Sequence, residues 1–250
     1  MSTTPTVLIT GCSSGFGLAT ARFFLDKGWH VVATMRTPRA GVLPPSDRLR
    51  VLALDVTDAE SVRRCVAEAG EIDVLVNNAG IGVLGPLEGT TMTSTREVFE
   101  TNVLGTIAMT QAVLPQFRAR RAGVVVNVTS SVTLKSLPLL SVYTGSKAAV
   151  NAFTESLALE LAPFGVRARI VLPGRSPETS FGDNARQRMA GSAHEAYADF
   201  TQRVFAAVRD TSSPVTHAQD VAEAVWRAVT DPAAPMRLPA GADAVALAGA

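Results

Sequence analysis

Two cysteines, Cys12 and Cys65, are too few for a disulfide framework. Three histidines, His30, His194 and His217, are scattered without metal-ligand spacing, so no metal site is expected. No run of about 18 apolar residues occurs, which excludes a transmembrane helix. Charge of one sign is missing too: 23 Lys+Arg against 22 Asp+Glu leave a formal net charge of +1, with no basic block. Nothing electrostatic therefore points to nucleic acid. The opening residues Met1 to Thr6 carry neither a basic nor an apolar stretch, so no secretory signal is expected. The expected setting is reduced and cytoplasmic. Charged residues reach only 18% against 47% hydrophobic, which excludes a disordered chain. A length of 250 residues fits one domain, and no repeat or linker divides it.

What is present alternates between strand and helix. Short β-branched runs at Thr6–Thr10, His30–Met35, Arg50–Asp55, Ile72–Asn77, Val124–Val128 and Val166–Leu172 read as strands, with a short seventh at Arg237–Ala240. Helices are expected at Gly15–Lys27 and, from capping boxes at Thr57/Glu60, Ser94/Glu97 and Thr216/Gln219, up to about Ala69, Ala119 and Val229. Pro115 predicts a kink. Val142–Leu161 reads as a helix, Pro173–Asn184 as irregular, and residues 185–209 as helical through Met189, Phe200, Val204 and Val208. This alternation predicts an α/β fold: an open, doubly wound parallel sheet with helices on both faces. Ligands bind such sheets beyond the carboxyl ends of the strands.

The turn Thr10-Gly-Cys-Ser-Ser-Gly-Phe-Gly17 follows the first strand and opens the first helix. Glycines admit positive φ and close backbone approach, and a helix N-terminus attracts phosphate. Its Gly11-x3-Gly15-x-Gly17 spacing is not the G-x-G-x-x-G dinucleotide form. Further on stand Asn77-Asn78-Ala79-Gly80 after strand four, Asn102 in the long helix, Ser130 after strand five, Tyr143-x3-Lys147 at a helix start, and Pro173-Gly174 after strand six.

In order and spacing these motifs resemble the short-chain dehydrogenase/reductase family, closely over about residues 5–175. The Thr-Gly-Cys-Ser-Ser-Gly-Phe-Gly run, with Ala-Thr-Met-Arg at strand two, is similar to the subgroup containing 17β-hydroxysteroid and retinol dehydrogenases. The resemblance implies a single Rossmann-like domain over 1–250. Its cofactor half is about 1–130, its catalytic part about 130–250, and its variable substrate segment about 175–212. Gly11, Ser13, Ser14, Gly15, Phe16, Gly17, Asn78, Ala79 and Gly80 would bind the dinucleotide, and Asp55-Val56 the adenine.

The chemistry explains the Tyr–Lys spacing, because residues four apart share a helical face. Free tyrosine titrates near 10, too high for efficient proton exchange at neutral pH. A nearby ammonium favours phenolate, so Tyr143 is expected as general acid and base, with its pKa lowered by Lys147. Ser130 would hold the substrate oxygen; Thr129 and Ser131 flank it, so its choice rests on family spacing. Lys147 would also contact the nicotinamide ribose. Asn102 would help hold a water linking Lys147 to solvent.

Strand two ends in Met35-Arg36, where NAD-specific relatives carry an acidic residue. An Arg there clamps a 2′-phosphate, so NADP(H) rather than NAD(H) is expected, with Arg39 as helper. One departure stands out. The family's nicotinamide-binding Thr lies four residues after the glycine of Pro-Gly, whereas Thr179 lies five after Gly174, with Pro177 between. Ser176 or Ser180 would substitute.

Val83, Leu84, Leu134, Leu137, Pro138, Leu139, Leu140 and Phe181 either line an apolar cleft or pack against the helical stretch over 185–209. The first alternative suits an apolar ketone, aldehyde or secondary alcohol. The expected function is an NADP(H)-dependent oxidoreductase; the alternative is a non-catalytic nicotinamide-binding sensor. The family pairing of long helices implies a homodimer or homotetramer, with Val98, Ile107 and Phe153 serving that contact or the core.

Overall fold

The computed structural model describes residues 4–179, 181–188, 195–208 and 214–249. Seven strands form one parallel sheet in the order β3-β2-β1-β4-β5-β6-β7. They are β1 (Thr6–Ile9), β2 (His30–Met35), β3 (Leu49–Ala53), β4 (Val74–Asn77), β5 (Gly123–Val128), β6 (Val166–Pro173) and β7 (Arg237–Ala240). The order reverses between β1 and β4, which opens a crevice at the carboxyl ends of these strands.

Strand alternation sends side chains to two separate cores. Val7 and Ile9 of β1 join Phe24 of α1 (Gly15–Asp26) and Val221 and Val225 of α8 (Ala218–Thr230). Leu8 faces the other side, with Val62 of α2 (Ala59–Ala69), Phe117 of α4 (Gly105–Arg120) and Leu157 of α5 (Ser141–Leu161). Fully burying a side chain such as Phe117 or Met109 stabilises by about 1.5–3 kcal/mol. Buried amides on this face form a chain: Asn77 donates to Asn127 at 2.9 Å, and Asn127 donates to Thr154 at 2.7 Å.

Several expected helix starts move. Thr57 does not cap α2, because its N–H and hydroxyl both donate to Asp55; Asp58 caps instead, accepting the Glu60 N–H at 2.9 Å. The helix expected from Ser94 begins earlier, as α3 (Met92–Phe99), capped by Thr91, which accepts the Ser94 N–H at 3.1 Å. It passes through a π-helical turn over Glu100–Leu104 before α4. His217 rather than Thr216 caps α8, and Asp220 takes the place given to Gln219, accepting the His217 N–H at 2.8 Å. The helical stretch expected over 185–209 is two helices, α6 (Phe181–Gln187) and α7 (Ala198–Val208). Met189 and Ser180 lie outside the described residues. A final helix, α9 (Ala242–Ala248), was not expected.

Candidate active site

The glycine turn is built by sterics. Gly11 has φ of +76°, and a Cβ there would stand 2.9 Å from Ala79 Cα. A Cβ on Gly17 would overlap the Gly11 carbonyl oxygen. The turn is joined to β4 by Thr10, whose buried hydroxyl accepts the N–H groups of Asn78 and Ala79, each at 2.9 Å. Asn78 donates back to the Thr10 carbonyl at 2.9 Å. Ser14 precedes α1 in extended conformation and makes no side-chain cap bond. The first amides of α1 thus have no side-chain cap, and Gly15 and Phe16 at this helix end line the cleft, where a helix N-terminus favours an anion.

That cleft, about 1270 Å³, runs along the carboxyl edge of the sheet. The residues expected to catalyse or to bind cofactor line it, except Gly17 and Asn102, which are packed just behind its wall, and Arg39, which is not part of its lining; Ser180 lies outside the described residues. Ser13, Ser14, Gly15 and Phe16 lie at the turn, Arg36, Asp55 and Val56 at the ends of β2 and β3, and Asn78, Ala79 and Gly80 after β4. Pro173, Gly174, Ser176 and Thr179 form the wall after β6. Of the apolar candidates, Val83, Leu84, Leu137, Leu140 and Phe181 line the cleft. Leu134, Pro138 and Leu139 are not part of its lining.

Ser130, Tyr143 and Lys147 meet at its floor. Tyr143 and Lys147 share one face of α5, with the Lys147 Nζ 5.8 Å from the Tyr143 ring centre. The ammonium donates to the Val128 carbonyl at 3.1 Å. Ser130 accepts the Val132 N–H at 3.3 Å, and its hydroxyl also bonds the phenol. The expected lowering of the Tyr143 pKa by Lys147 is not found. Burial raises the phenol above its ordinary value, and the bond to Ser130 only partly offsets this. Burial also pulls the Lys147 ammonium down to about 8. At pH 7 that ammonium is still mostly charged, yet the lost hydration of the phenol outweighs it.

Asn102 sits in the π-helical turn with both side-chain N–H groups and one side of its oxygen bonded to protein groups. It brackets the Ile81 backbone and donates to Ser146 at 3.0 Å. Gly80 makes room for this contact: a Cβ there would lie 3.2 Å from Asn102 Oδ1 and 3.3 Å from Lys147 Nζ.

Arg36 borders the cleft beside Asp55. Asp55 is held below the usual carboxylate range, first by the Thr57 N–H and more weakly by Arg36. Arg39 is not part of the cleft's lining; it donates to the carbonyl of Ser13, which is, at 3.2 Å, bracing the glycine turn. Past β6, Thr179 donates to the Ser176 carbonyl at 3.1 Å, and its methyl would lie 3.5 Å from a Cβ on Gly15. Phe181 packs against the Tyr143 ring, centres 5.3 Å apart, and against Gly82.

Three features escaped the sequence reading. Thr10 was visible only as the first letter of the glycine motif. Arg96, Glu97 and Glu100 line the cleft from α3 and the π-helical turn, where Glu97 reads in sequence only as a capping-box partner of Ser94. Asp243 lines it from α9, a helix whose alanine-rich sequence has no apolar period.

The sequence profile of the short chain dehydrogenase family matches residues 5–190. The chain belongs to this family. It is 35% identical over 239 residues to a 3-ketodihydrosphingosine reductase of Bacteroides thetaiotaomicron, covering 94% of this chain and 87% of that one. Retinol dehydrogenase 8 of Bos taurus is 42% identical over 181 residues, covering 68% of this chain and 58% of that protein. Estradiol 17-beta-dehydrogenase 1 of Rattus norvegicus is 40% identical, covering 87% of this chain and 67% of that one. Among solved structures, a short-chain dehydrogenase from Streptomyces avermitilis superposes with a TM-score of 0.86 at 36% identity, covering 99% of this chain and 92% of its own. A Burkholderia cenocepacia relative in complex with NADP has a TM-score of 0.79 at 26% identity, covering 98% and 92%. A Burkholderia phymatum relative in complex with NAD has a TM-score of 0.77 at 26% identity, covering 95% and 88%. As a short-chain dehydrogenase, the chain is an oxidoreductase acting on CH–OH or C=O groups of small molecules. Among the described residues no helix is long and apolar enough to cross a membrane.

Proposed function

We propose that this short-chain dehydrogenase moves a hydride between NADP(H) and the carbonyl or alcohol carbon of an apolar ketone, aldehyde or secondary alcohol. The observation that carries the reading is the meeting of Ser130, Tyr143 and Lys147 in the same cleft as the glycine turn. The residues present fit the dinucleotide. The cleft is large enough, the first α1 amides have no side-chain cap, and Ser176 Oγ is buried without a hydrogen-bond partner among the described residues. Arg36, with no carboxylate at the end of β2, supports NADP(H) over NAD(H). The NADP-bound relative agrees with this, while the NAD-bound one shows that the fold serves both.

When bound, the nicotinamide supplies or accepts the hydride, and its oxidised ring adds a positive charge near the phenol. This chain's residues do the rest. Ser130 donates to the substrate oxygen and holds it beside Tyr143. The hydride carries the two electrons to carbon, and Tyr143 gives its phenolic proton to the oxygen, completing the alcohol; oxidation runs in reverse. Lys147 binds the nicotinamide ribose and, when protonated, stabilises the phenolate. Asn102 contributes by fixing Ile81 and Gly80 against Lys147. Val83, Leu84, Leu137, Leu140 and Phe181 support an apolar substrate.

The same reading includes a homodimer or homotetramer and a cytoplasmic setting. Leu104 and Leu159, 50% and 78% exposed beside α4 and on α5, support association. Val98 is fully buried and Phe153 packs on the core, so these two serve the fold. Both cysteines are buried free thiols, consistent with a reducing compartment. Fluorescence titration with NADPH and with NADH tests the reading. Tight NADPH and weak NADH binding is expected, followed by NADPH oxidation on apolar ketones. Binding of neither dinucleotide overturns it.

A further inference from the structure

The last helix reaches back to the cleft and takes hold of the turn after β6. Asp243, in the first turn of α9, accepts the Arg175 N–H at 2.6 Å through Oδ2. Its Oδ1 lies 2.6 Å from the Thr216 hydroxyl, whose proton also faces the Ala240 carbonyl at 2.9 Å. The Thr216 oxygen in turn accepts the Gly174 N–H at 2.9 Å. Two consecutive amides, those of Gly174 and Arg175, thus end on side chains more than forty residues away in sequence. Both glycines of the cluster are required by it. A Cβ on Gly174 would overlap the Asp243 carboxylate, and Gly241, at φ of +93°, leaves space for the Thr216 hydroxyl.

We propose that Asp243 is a positioning residue for the nicotinamide half of the cofactor. The inference rests on the cofactor reading above. Pro173, Gly174, Arg175, Ser176 and Asp243 line one end of the cleft, whereas Arg36, Asp55 and Val56 line the adenine end. A carboxylate bonded to a backbone N–H is among the stronger hydrogen bonds a turn can make. Here it fixes the backbone that leads directly to Ser176, the buried hydroxyl without a partner among the described residues. Thr179 stands five residues after Gly174, so the backbone between them gains from an anchor outside the turn. The side-chain bonds of Asp243 and Thr216 run to Arg175, Gly174 and Ala240, away from the adenine end, which should not respond to their loss.

The test is isothermal calorimetry on the full chain. It uses the reduced dinucleotide that the wild type binds tighter, NADPH or NADH, and the matching adenine half, 2′,5′-ADP or ADP. In Asp243→Ala, affinity for the dinucleotide should fall about tenfold or more, while the adenine half binds within about twofold of wild type. Asp243→Asn, which keeps an acceptor for the Arg175 N–H, should recover part of the loss. Equal loss of both ligands would show a merely structural role and overturn the proposal, as would no loss of either. If Asp243→Ala does not fold, the same comparison is made with Asp243→Asn: loss confined to the dinucleotide supports the proposal, and equal loss or no loss overturns it. Wild-type protein that binds neither ligand overturns the cofactor reading and this inference with it.

Discussion

Asn102 grips the backbone of Ile81 at both ends: its Oδ1 accepts the Ile81 N–H at 2.8 Å and its Nδ2 donates to the Ile81 carbonyl at 2.9 Å. A side chain inside a helix does this only because the π-helical turn over Glu100–Leu104 swings it toward the loop after β4. Asn102→Ala would strand both Ile81 groups in a partly buried site. Stability should fall by about 2 kcal/mol or more, read as a lower Tm or denaturation midpoint. An unchanged Tm would mean that water replaces the amide at no cost.

Tyr143 is the proposed proton donor, and its phenol is buried against Ser130. Tyr143→Phe should reduce kcat by about a hundredfold or more while leaving dinucleotide affinity within several-fold. Near-normal turnover in this variant would reject the mechanism.

Arg36 is the proposed reader of the 2′-phosphate. Arg36→Asp should move the ratio of NADPH to NADH affinity toward NADH by about tenfold or more. An unchanged ratio would show that the guanidinium does not touch the phosphate.

The buried pair gives stability a pH signature in the absence of cofactor. Lys147 titrates at about 8 in the folded chain against an ordinary 10.5. Between those values the unfolded chain holds a proton that the folded chain has released, so stability rises with pH. Tyr143 has the opposite sign: its pKa lies above the ordinary 10.0, so above that pH the folded chain keeps a proton the unfolded chain loses, and stability falls. Cys12 and Cys65, pushed up by burial to about 12 and about 11 from an ordinary 9.0, have the tyrosine's sign, so thermal denaturation should show Tm climbing from about pH 8 to about pH 9 and then declining. In Lys147→Met the climb should vanish; a climb that persists belongs to another group.

Phe181 tilts against Tyr143 at 53° between ring planes and fills the space over Gly82. It should limit the bulk of the substrate beside the reacting carbon. Phe181→Ala is expected to raise kcat/KM for branched or ring-bearing ketones relative to small linear ones by several-fold. An unchanged ratio would place the substrate elsewhere in the cleft.

Much of the site was legible because its residues are tied to local geometry. Gly11 and Gly17 are fixed by sterics within one turn, and Tyr143 and Lys147 by the pitch of one helix, so spacing alone carries them. The parallel sheet followed from apolar runs alternating with helices. Helix starts at Asp58, Thr91 and His217 were misplaced by one to three residues, because several polar residues cluster there and only the folded backbone selects the one that caps. The raised Tyr143 pKa was hidden as well. Spacing reveals that a lysine is near, but burial decides whether its charge or the lost hydration dominates.

The sequence by itself determined the parallel α/β sheet, the glycine turn and the Ser130–Tyr143–Lys147 set, because each depends on contacts between residues close along the chain or on a strong local period. Only the tertiary structure decided the grip of Asn102 on Ile81, the stacking of Phe181 on Tyr143, and the reach of Asp243 to Arg175. These join segments 21, 38 and 68 residues apart, and no local pattern encodes where two distant backbones will pass within a hydrogen bond of each other.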